Sequence, residues 1–256
     1  MLKCIDNQKH ETILLIHGFP EDASIWDNYI SPLSKKYNLL ILNSKNPPEA
    51  ESLTLELLKN LRSLKSSALH IACHDIGGYL AVATYPYLQT EVKSLIFISA
   101  SFPQLLIRRC ASPKQLLKSW YSVFFQIPIL SDTIWKKYAS NIVKRLYPND
   151  KDHLQNLERH TAWIALYRQA FVDIFKKKQA PITVPTLFIE ATDDSFLEIH
   201  SKNDLAHFFT DIEQRVLQGG HWLVVEESEK VIHFMELFLE KMNGKRKTFE
   251  SAKPIL

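Results

Sequence analysis

The sequence predicts an α/β fold, built on a mostly parallel, doubly wound sheet that carries a helical insertion. Short apolar runs recur along the chain, and they are continuous rather than alternating, as expected of strands buried on both faces. Helical patterns separate most of these runs, and strands that alternate with helices form parallel sheets. One long interval, residues 104–180, lacks a strand pattern and reads as helices instead.

The predicted strands are short and rich in leucine and β-branched residues. They cover Thr12–Phe19, Asn38–Asn43, Ala68–Asp75, Ser94–Ser101, Thr186–Ala191 and Arg215–Gly220. Amphipathic or apolar helical patterns lie between them and after the last of them. These predicted helices are Glu51–Lys65, Gly77–Leu88, Ser201–Phe209 and Ser228–Met242.

The strandless interval contains three predicted helices that are rich in aromatic residues: Pro113–Gln126, Asp132–Tyr147 and His153–Lys177. Pro181 and Pro185 then suit a connector that returns the chain to the sheet. We expect residues 1–103 and 181–256 to form one α/β core into which the interval is inserted. Residues 104–180 would form a lid over the carboxyl edge of the sheet, where α/β folds bind ligands.

The composition excludes several classes of protein. The 256 residues are 46% hydrophobic and 23% charged, with a formal net charge of +3 and no basic stripe, so a nucleic-acid partner is not expected. Three irregularly spaced cysteines argue against a disulfide framework or a metal site. The chain shows no apolar leader at its start and no run long enough to span a membrane, so we expect a cytoplasmic protein.

An unusual carboxylate lies between a predicted strand and a predicted helix. Asp75 occupies the turn in Cys73–Gly78, flanked by small residues that a strained, tightly packed turn requires. The amino terminus of the following helix favours Asp75 as an anion. The pattern matches a nucleophile elbow with aspartate in place of serine. Taken alone, it is equally consistent with an aspartate that only caps the helix.

Three further motifs lie where loops leave predicted strands. "HGFPE", His17–Glu21, follows the first strand, and His221 follows a Gly-Gly pair after the last strand. The strand at Thr186–Ala191 is followed by two acids, Asp193 and Asp194. A carboxylate at this place can accept a hydrogen bond from an imidazole N–H and orient the ring.

In combination, "HDIGG", "HGFPE", the paired acids and His221 resemble the α/β-hydrolase superfamily, and more narrowly its epoxide hydrolase branch. The resemblance implies the α/β-hydrolase fold, with Asp75 as nucleophile, Asp194 as acid and His221 as base, in the chain order of that family. Asp193 remains the alternative acid. The backbone amides of Phe19 and Ile76 would form the oxyanion hole.

The predicted lid favours the epoxide hydrolases within this superfamily. The family protonates the leaving alkoxide with two lid tyrosines, and Tyr121 and Tyr167 lie in similar contexts, "YSVFFQ" and "ALYRQA". Haloalkane dehalogenases usually place tryptophan after the nucleophile as a halide donor, and fluoroacetate-type enzymes place arginine there. Ile76 occupies this position and offers a halide only its backbone amide.

The resemblance implies hydrolysis of a small apolar epoxide by water in two steps, through an ester on Asp75, without a metal or another cofactor. We expect the substrate to contact His17, Trp120, Phe125, Trp163 and Trp222. Two other enzyme activities stay open, dehalogenation and ester hydrolysis. A non-catalytic binding protein also stays open, because the same fold serves as a small-molecule receptor. The sequence does not predict an oligomeric state.

Two features depart from the family pattern. Only about a dozen residues precede the predicted strand at Thr12, so we expect the first strand or two of the sheet to be short or absent. The Asp-x-Arg-Gly-x-Gly turn that usually follows the second of the predicted strands is replaced by "NSKNPPEAES". Neither departure touches the predicted triad.

Overall fold

A seven-stranded sheet runs through the centre of the molecule in a computed structural model that describes residues 1–109, 112–146, 157–176 and 180–251. The strands are β1 Leu2–Ile5, β2 Glu11–Ile16, β3 Asn38–Leu42, β4 Ala68–Asp75, β5 Val92–Ala100, β6 Thr186–Ala191 and β7 Ile212–Leu217. Their spatial order is β1-β3-β2-β4-β5-β6-β7. β1 is antiparallel to β3, and the remaining pairs are parallel, which confirms the predicted fold class.

Eleven α-helices accompany the sheet in the described part of the chain. They are α1 Asp27–Ser34, α2 Ala50–Ser63, α3 Gly77–Thr84, α4 Pro103–Arg109, α5 Pro113–Lys118, α6 Trp120–Phe124, α7 Pro128–Leu146, α8 Leu157–Lys176, α9 Lys202–Ala206, α10 Leu223–Glu226 and α11 Ser228–Ser251. Short 3-10 helices cover Ala23–Trp26 and Tyr85–Tyr87. None of the helices described here combines the length and the apolar character needed to cross a bilayer.

Alternate residues of the central strands pack into two apolar layers, one on each face of the sheet. In β3, Leu40 and Leu42 belong to the layer that includes residues of α2, α3 and α8. Leu39 and Ile41 belong to the opposite layer, together with residues of α1 and α11. Burial on both faces explains the continuous apolar runs of the sequence, because neither side of a central strand meets water. Burying one of these leucine side chains completely stabilises the folded protein by about 1.5–3 kcal/mol relative to leaving it exposed.

The ends of the sheet differ from the prediction. The first strand exists, but it is a four-residue edge strand, Leu2–Ile5, too short to show a periodic pattern. The last strand begins and ends three residues earlier than Arg215–Gly220. It ends at Leu217 because Gly219 takes a φ of +152°, which leaves the extended conformation. The sequence does not predict the first three residues of β7, because this strand is only partly buried and carries polar side chains.

The helices between β5 and β6 lie against the carboxyl end of the sheet. The Tyr167 hydroxyl of α8 donates to Asp75 at the end of β4, at 3.0 Å. On the same helix, the Asp173 carboxylate accepts a 2.6 Å bond from Tyr79 of α3. The interval contains more separate helices than the three predicted from sequence, and the predicted positions 147, 153–156 and 177 lie outside the described residues.

Candidate active site

Asp75 ends β4 in a strained conformation that projects it from a tight turn. Its φ of +48° lies in the left-handed region, which costs a non-glycine residue about 1–2 kcal/mol. Surrounding backbone holds this turn closely. A Cβ atom on Gly78 would lie 2.4 Å from the Ser101 carbonyl oxygen, and one on Gly18 would lie 2.5 Å from the Asp75 Cβ. Only glycine allows the chain to pass so close to the Asp75 turn.

Hydrogen-bond donors from three elements surround the buried Asp75 carboxylate. The Phe19 amide, in the loop after β2, donates to Oδ2 at 3.1 Å. The Tyr167 hydroxyl donates to the same oxygen at 3.0 Å. The amide of Ile76 also hydrogen-bonds the carboxylate. The two amides expected to form the oxyanion hole, those of Phe19 and Ile76, therefore both face Asp75.

His221 and Asp194 form a hydrogen-bonded pair beside Asp75. The Nδ1 atom of His221 lies 2.8 Å from the Asp194 Oδ2 atom, and its Nε2 atom lies 3.6 Å from the Asp75 Oδ1 atom. The other oxygen of Asp194 accepts from the amides of Phe196 and Leu197, at 2.7 and 2.9 Å. These bonds hold the Asp194 carboxylate toward the imidazole.

The neighbouring acid, Asp193, points elsewhere. Asp193 is exposed and its carboxylate accepts from the Thr192 hydroxyl at 3.0 Å, whereas Asp194 is only 4% exposed. Of the two acids that the sequence leaves as alternatives, Asp194 is the one that contacts His221.

The charges of this cluster stabilise one another. Burial alone would lower the pKa of His221, but the carboxylates of Asp194 and Asp75 outweigh it and raise the pKa to about 10. Burial would raise the pKa of Asp75, yet the hydrogen bond and the charge of His221 hold that pKa below its ordinary value. The same opposition lowers the pKa of Asp194. The free site therefore contains a protonated imidazole between two carboxylates at neutral pH.

The two tyrosines lie together above the carboxylate. The ring centroids of Tyr121 and Tyr167 are 5.9 Å apart. Burial, and then the negative charge of Asp75, raise the pKa of both phenols. Both hydroxyls therefore keep their protons at neutral pH and can donate to an oxygen atom placed beside Asp75.

Two cavities reach this cluster. The larger, which we call the aromatic cavity, has a volume of about 540 Å³. The smaller, the aliphatic cavity, has a volume of about 120 Å³. Trp120, Phe125 and Trp222, three of the predicted substrate contacts, line the aromatic cavity.

The other two predicted substrate contacts, His17 and Trp163, are not among the residues that line either cavity. Both side chains are buried, and their ring centroids lie 4.4 Å apart, so they pack against each other between β2 and α8. The Nδ1 atom of His17 lies 2.8 Å from the Gly18 carbonyl oxygen. The expected contact of these two side chains with the substrate is wrong for both cavities, because a sequence does not show which aromatic rings of a site face a neighbouring helix instead.

A family model described as the α/β-hydrolase fold matches residues 11–228. The chain belongs to this family. It is 24% identical over 271 residues to epoxide hydrolase 3 of Xenopus tropicalis, covering 92% of this chain and 73% of that protein. It is 23% identical over 266 residues to epoxide hydrolase 4 of Mus musculus, covering 90% and 73%. The predicted resemblance of this α/β hydrolase to the epoxide hydrolases is confirmed.

The crystal structure of a Bacillus megaterium epoxide hydrolase in complex with an inhibitor has a similar fold. The superposition gives a TM-score of 0.73 at 20% identity, and it covers 93% of this chain and 96% of that one. At this identity the likeness supports the α/β-hydrolase fold alone.

This α/β hydrolase has a second buried histidine and carboxylate next to the proposed triad, which sequence analysis did not single out. His74 Nδ1 lies 3.1 Å from Glu21 Oε2, and His74 Nε2 lies 3.1 Å from the His221 carbonyl oxygen. Glu21 also accepts from the Gly18 amide and from Trp222 Nε1, at 3.1 and 2.5 Å. This network ties the loop after β2 to the loop that carries His221.

The signal for this network was present in the sequence, since Glu21 ends "HGFPE" and His74 precedes Asp75. The burial of Glu21 and His74 depends on the approach of three loops, and the sequence alone does not predict that approach. Among the residues that the structure describes, no group of three or more His, Cys, Asp or Glu side chains is arranged to hold a metal ion. The expectation of catalysis without a cofactor stays a prediction.

Proposed function

We propose that this hydrolase opens epoxides to vicinal diols through an ester on Asp75. One observation carries the proposal: a buried, ionised carboxylate lies 3.0 Å from the hydroxyl of Tyr167, with the phenol of Tyr121 beside it. A nucleophile and a pair of acids are what ring opening of an epoxide requires. The names of the curated relatives support the same reaction.

In the first step, an oxygen of the Asp75 carboxylate attacks one epoxide carbon, and the bond from that carbon to the epoxide oxygen breaks. Tyr121 and Tyr167 hydrogen-bond the departing oxygen and supply the proton that makes it a hydroxyl. The product is a hydroxyalkyl ester on Asp75. The two phenols suit this role because their raised pKa values keep them protonated until charge develops on the epoxide oxygen.

Ester formation changes the properties of His221. It removes the Asp75 charge, which is one of the groups that raise the pKa of the imidazole. The pKa of His221 therefore falls in the ester, so the ring releases its proton, which returns to the phenolate left by the first step. The neutral ring can then act as a base toward water. The Asp194 carboxylate, 2.8 Å from Nδ1, keeps the ring oriented throughout.

In the second step, water activated by His221 attacks the carbonyl carbon of the Asp75 ester. The resulting oxyanion faces the amides of Phe19 and Ile76, which already hydrogen-bond the free carboxylate. Donors that are in place before the reaction need no reorganisation when the charge appears. Collapse of the tetrahedral intermediate breaks its bond to the alcohol oxygen, which takes the proton of the new carboxyl group. The diol leaves, and the Asp75 carboxylate and the protonated His221 of the free site are restored.

We also propose that residues 104–180 act as a lid on a core formed by residues 1–103 and 181–256. Helices α6 and α8 supply Tyr121 and Tyr167 and line both cavities. A lid of this kind excludes water from the first step, and this protects the carboxylate from competing hydrogen bonds. The lid thus contributes both the acids and the apolar surroundings.

Trapping the ester tests the mechanism. In the His221→Gln variant the first step proceeds but the water is not activated, so incubation with styrene oxide should add the mass of the epoxide to the peptide that contains Asp75. The Asp75→Ala variant should lose all diol formation. The exposed His207 provides a matched control, and His207→Gln should turn over normally without an adduct.

Other outcomes would assign the site differently. Release of halide from haloalkanes without diol formation from epoxides would favour a dehalogenase. Ile76 argues against that activity, because its buried aliphatic side chain brings only a backbone amide to the carboxylate. Tight binding of an epoxide analogue with no turnover and no adduct would favour a non-catalytic receptor. Any of these results overturns the proposal.

A further inference from the structure

The two cavities meet at the proposed reaction centre. Asp75, Tyr121 and Tyr167 line both of them, so the carboxylate and the two phenols lie where the two cavities adjoin. An epoxide placed there has its oxygen at the phenols and its carbons beside Asp75. Its two carbons can then direct their substituents into different cavities.

The walls of the two cavities differ in chemistry. Apart from the shared residues and His221, the aromatic cavity is lined mainly by flat rings: Phe19, Trp120, Phe124, Phe125, Trp135, Phe196 and Trp222. The aliphatic cavity is lined mainly by branched side chains of α4, α5, α6 and α8, among them Leu106, Ile107, Leu116, Val123 and Ile174, and its unshared aromatic rings in the described part of the chain are only Phe102 and Phe171. Flat rings suit an aromatic substituent through offset or edge-to-face contacts, and branched chains suit an alkyl group.

The volumes differ as well. A water molecule occupies about 30 Å³ in the liquid, and a methylene group has a similar size. The aliphatic cavity, at about 120 Å³, therefore has room for a chain of about three or four carbons. The aromatic cavity, at about 540 Å³, accommodates a much larger group.

We propose that the preferred substrates are 1,2-disubstituted epoxides that carry an aromatic group on one carbon and a short alkyl chain on the other. The aromatic group occupies the aromatic cavity, and the alkyl chain occupies the aliphatic cavity. This inference rests on the proposed epoxide hydrolysis and goes further by naming the substrate class. A terminal epoxide such as styrene oxide leaves the aliphatic cavity unused.

The experiment compares styrene oxide with its trans-β-methyl, ethyl and propyl derivatives. Each methylene that enters the apolar cavity should raise kcat/KM by up to about fourfold, which gives a rise of up to about 60-fold for the propyl derivative. Longer chains should gain nothing more, because the cavity is full. The readout is the ratio of kcat/KM between the alkyl derivative and styrene oxide.

Ile174 provides the test within the cavity. It is half-buried on α8, seven residues after Tyr167, and it lines the aliphatic cavity alone. Ile174→Trp should fill the space and reduce the propyl ratio to about one. Ile174→Ala should enlarge the space and shift the optimum to a longer chain. Val172, a more exposed residue of the same helix that lines neither cavity, gives the matched control. Val172→Trp should keep the wild-type ratio.

The outcomes separate this inference from the proposed function. If styrene oxide is hydrolysed but kcat/KM falls from the first added methyl group, the inference is wrong and the proposed function stands. An unchanged chain-length preference in both Ile174 variants would also overturn the inference, because the alkyl chain would then lie elsewhere. Absence of turnover and of an ester adduct with every epoxide would overturn both.

Discussion

At the scale of single residues, the site is governed by charges that are buried but paired. Asp75 and Asp194 are 8% and 4% exposed, and each would be expensive to ionise in such surroundings without the imidazolium of His221 and the amide and hydroxyl donors that also face them. The two carboxylates share the single positive charge of this ring, with Nδ1 facing Asp194 and Nε2 facing Asp75. The protonation state of His221 consequently depends on the state of Asp75, and this link is the basis of the proposed change of role from cation to base.

Removal of the Asp75 charge should lower the pKa of His221. In an Asp75→Asn variant the burial that lowers this pKa remains, while one of the two carboxylates that raise it to about 10 is lost. NMR titration of the imidazole nitrogens measures the change. The matched control is Asp193→Asn, which alters an exposed acid and should leave the titration near that of the wild type. An unchanged titration in Asp75→Asn would contradict the coupling.

Neutralising Glu21 should destabilise the protein. Its buried carboxylate faces donors from Gly18, Trp222 and His74, and Gln in its place would turn an amide group toward one of them. Leaving a buried donor without its acceptor costs on the order of 1–3 kcal/mol. Urea unfolding of Glu21→Gln measures the loss. Glu229→Gln, at an exposed position of α11, should change the free energy of unfolding by no more than about 0.5 kcal/mol. Equal stability of the two variants would argue against the network.

At the scale of elements, the position of the tyrosines depends on how the helices between β5 and β6 are joined. Arg168 follows Tyr167 on α8, and its guanidinium donates to the Phe125 carbonyl at 2.8 Å and to the Ser131 hydroxyl at 2.9 Å. It also forms an ion pair with Asp132. One side chain therefore connects α8 with the end of α6 and the start of α7.

Shortening this connection should displace Tyr167. In Arg168→Lys the charge remains, but the planar set of donors that reaches three acceptors is lost. Because small displacements of reacting groups cost much of the rate, kcat should fall on the order of 10-fold to 100-fold. Steady-state kinetics with styrene oxide measures the change in kcat. Arg62→Lys, on the exposed side of α2, serves as the control and should keep the wild-type kcat. A change in KM alone would indicate that Arg168 does not position the acid.

At the scale of the whole molecule, the buried charge of His221 links folding to pH. The pKa of this histidine is about 10 in the folded protein, against an ordinary value of 6.5. A group whose pKa is raised by folding contributes stability that is fully present below the unfolded pKa and is lost as the pH rises through the folded pKa. Asp75 and Asp194 act in the opposite direction, and their contribution is lost as the pH falls below their ordinary value of 3.8.

The stability advantage of the wild type over His221→Gln should therefore shrink as the pH rises from about 6.5 to about 10. Urea unfolding at several pH values in this window measures the difference between the two proteins. Groups that titrate elsewhere in the chain affect both proteins alike, so they cancel in the comparison. A difference that stays constant across the window would show that His221 is not charged in the folded protein.

The sequence by itself determined the fold class and the order of the proposed catalytic residues. Burial of the sheet on both faces requires continuous apolar runs, and these are visible without a structure. The motifs around Asp75 and His221 are also local, because a tight turn needs small residues at fixed positions beside it. The exposed edges of the sheet carry weaker sequence patterns. The sequence therefore does not predict the position of β1, and it places β7 three residues too late.

Only the tertiary structure decided which side chains meet. It brought Asp194 rather than Asp193 to His221, buried His17 against Trp163, and joined Glu21 to His74. It also divided the space at Asp75 into an aromatic and an aliphatic cavity. The physical reason is the same in each case. The direction in which a loop or helix side chain points depends on packing against residues far away in sequence, and no local pattern records that packing.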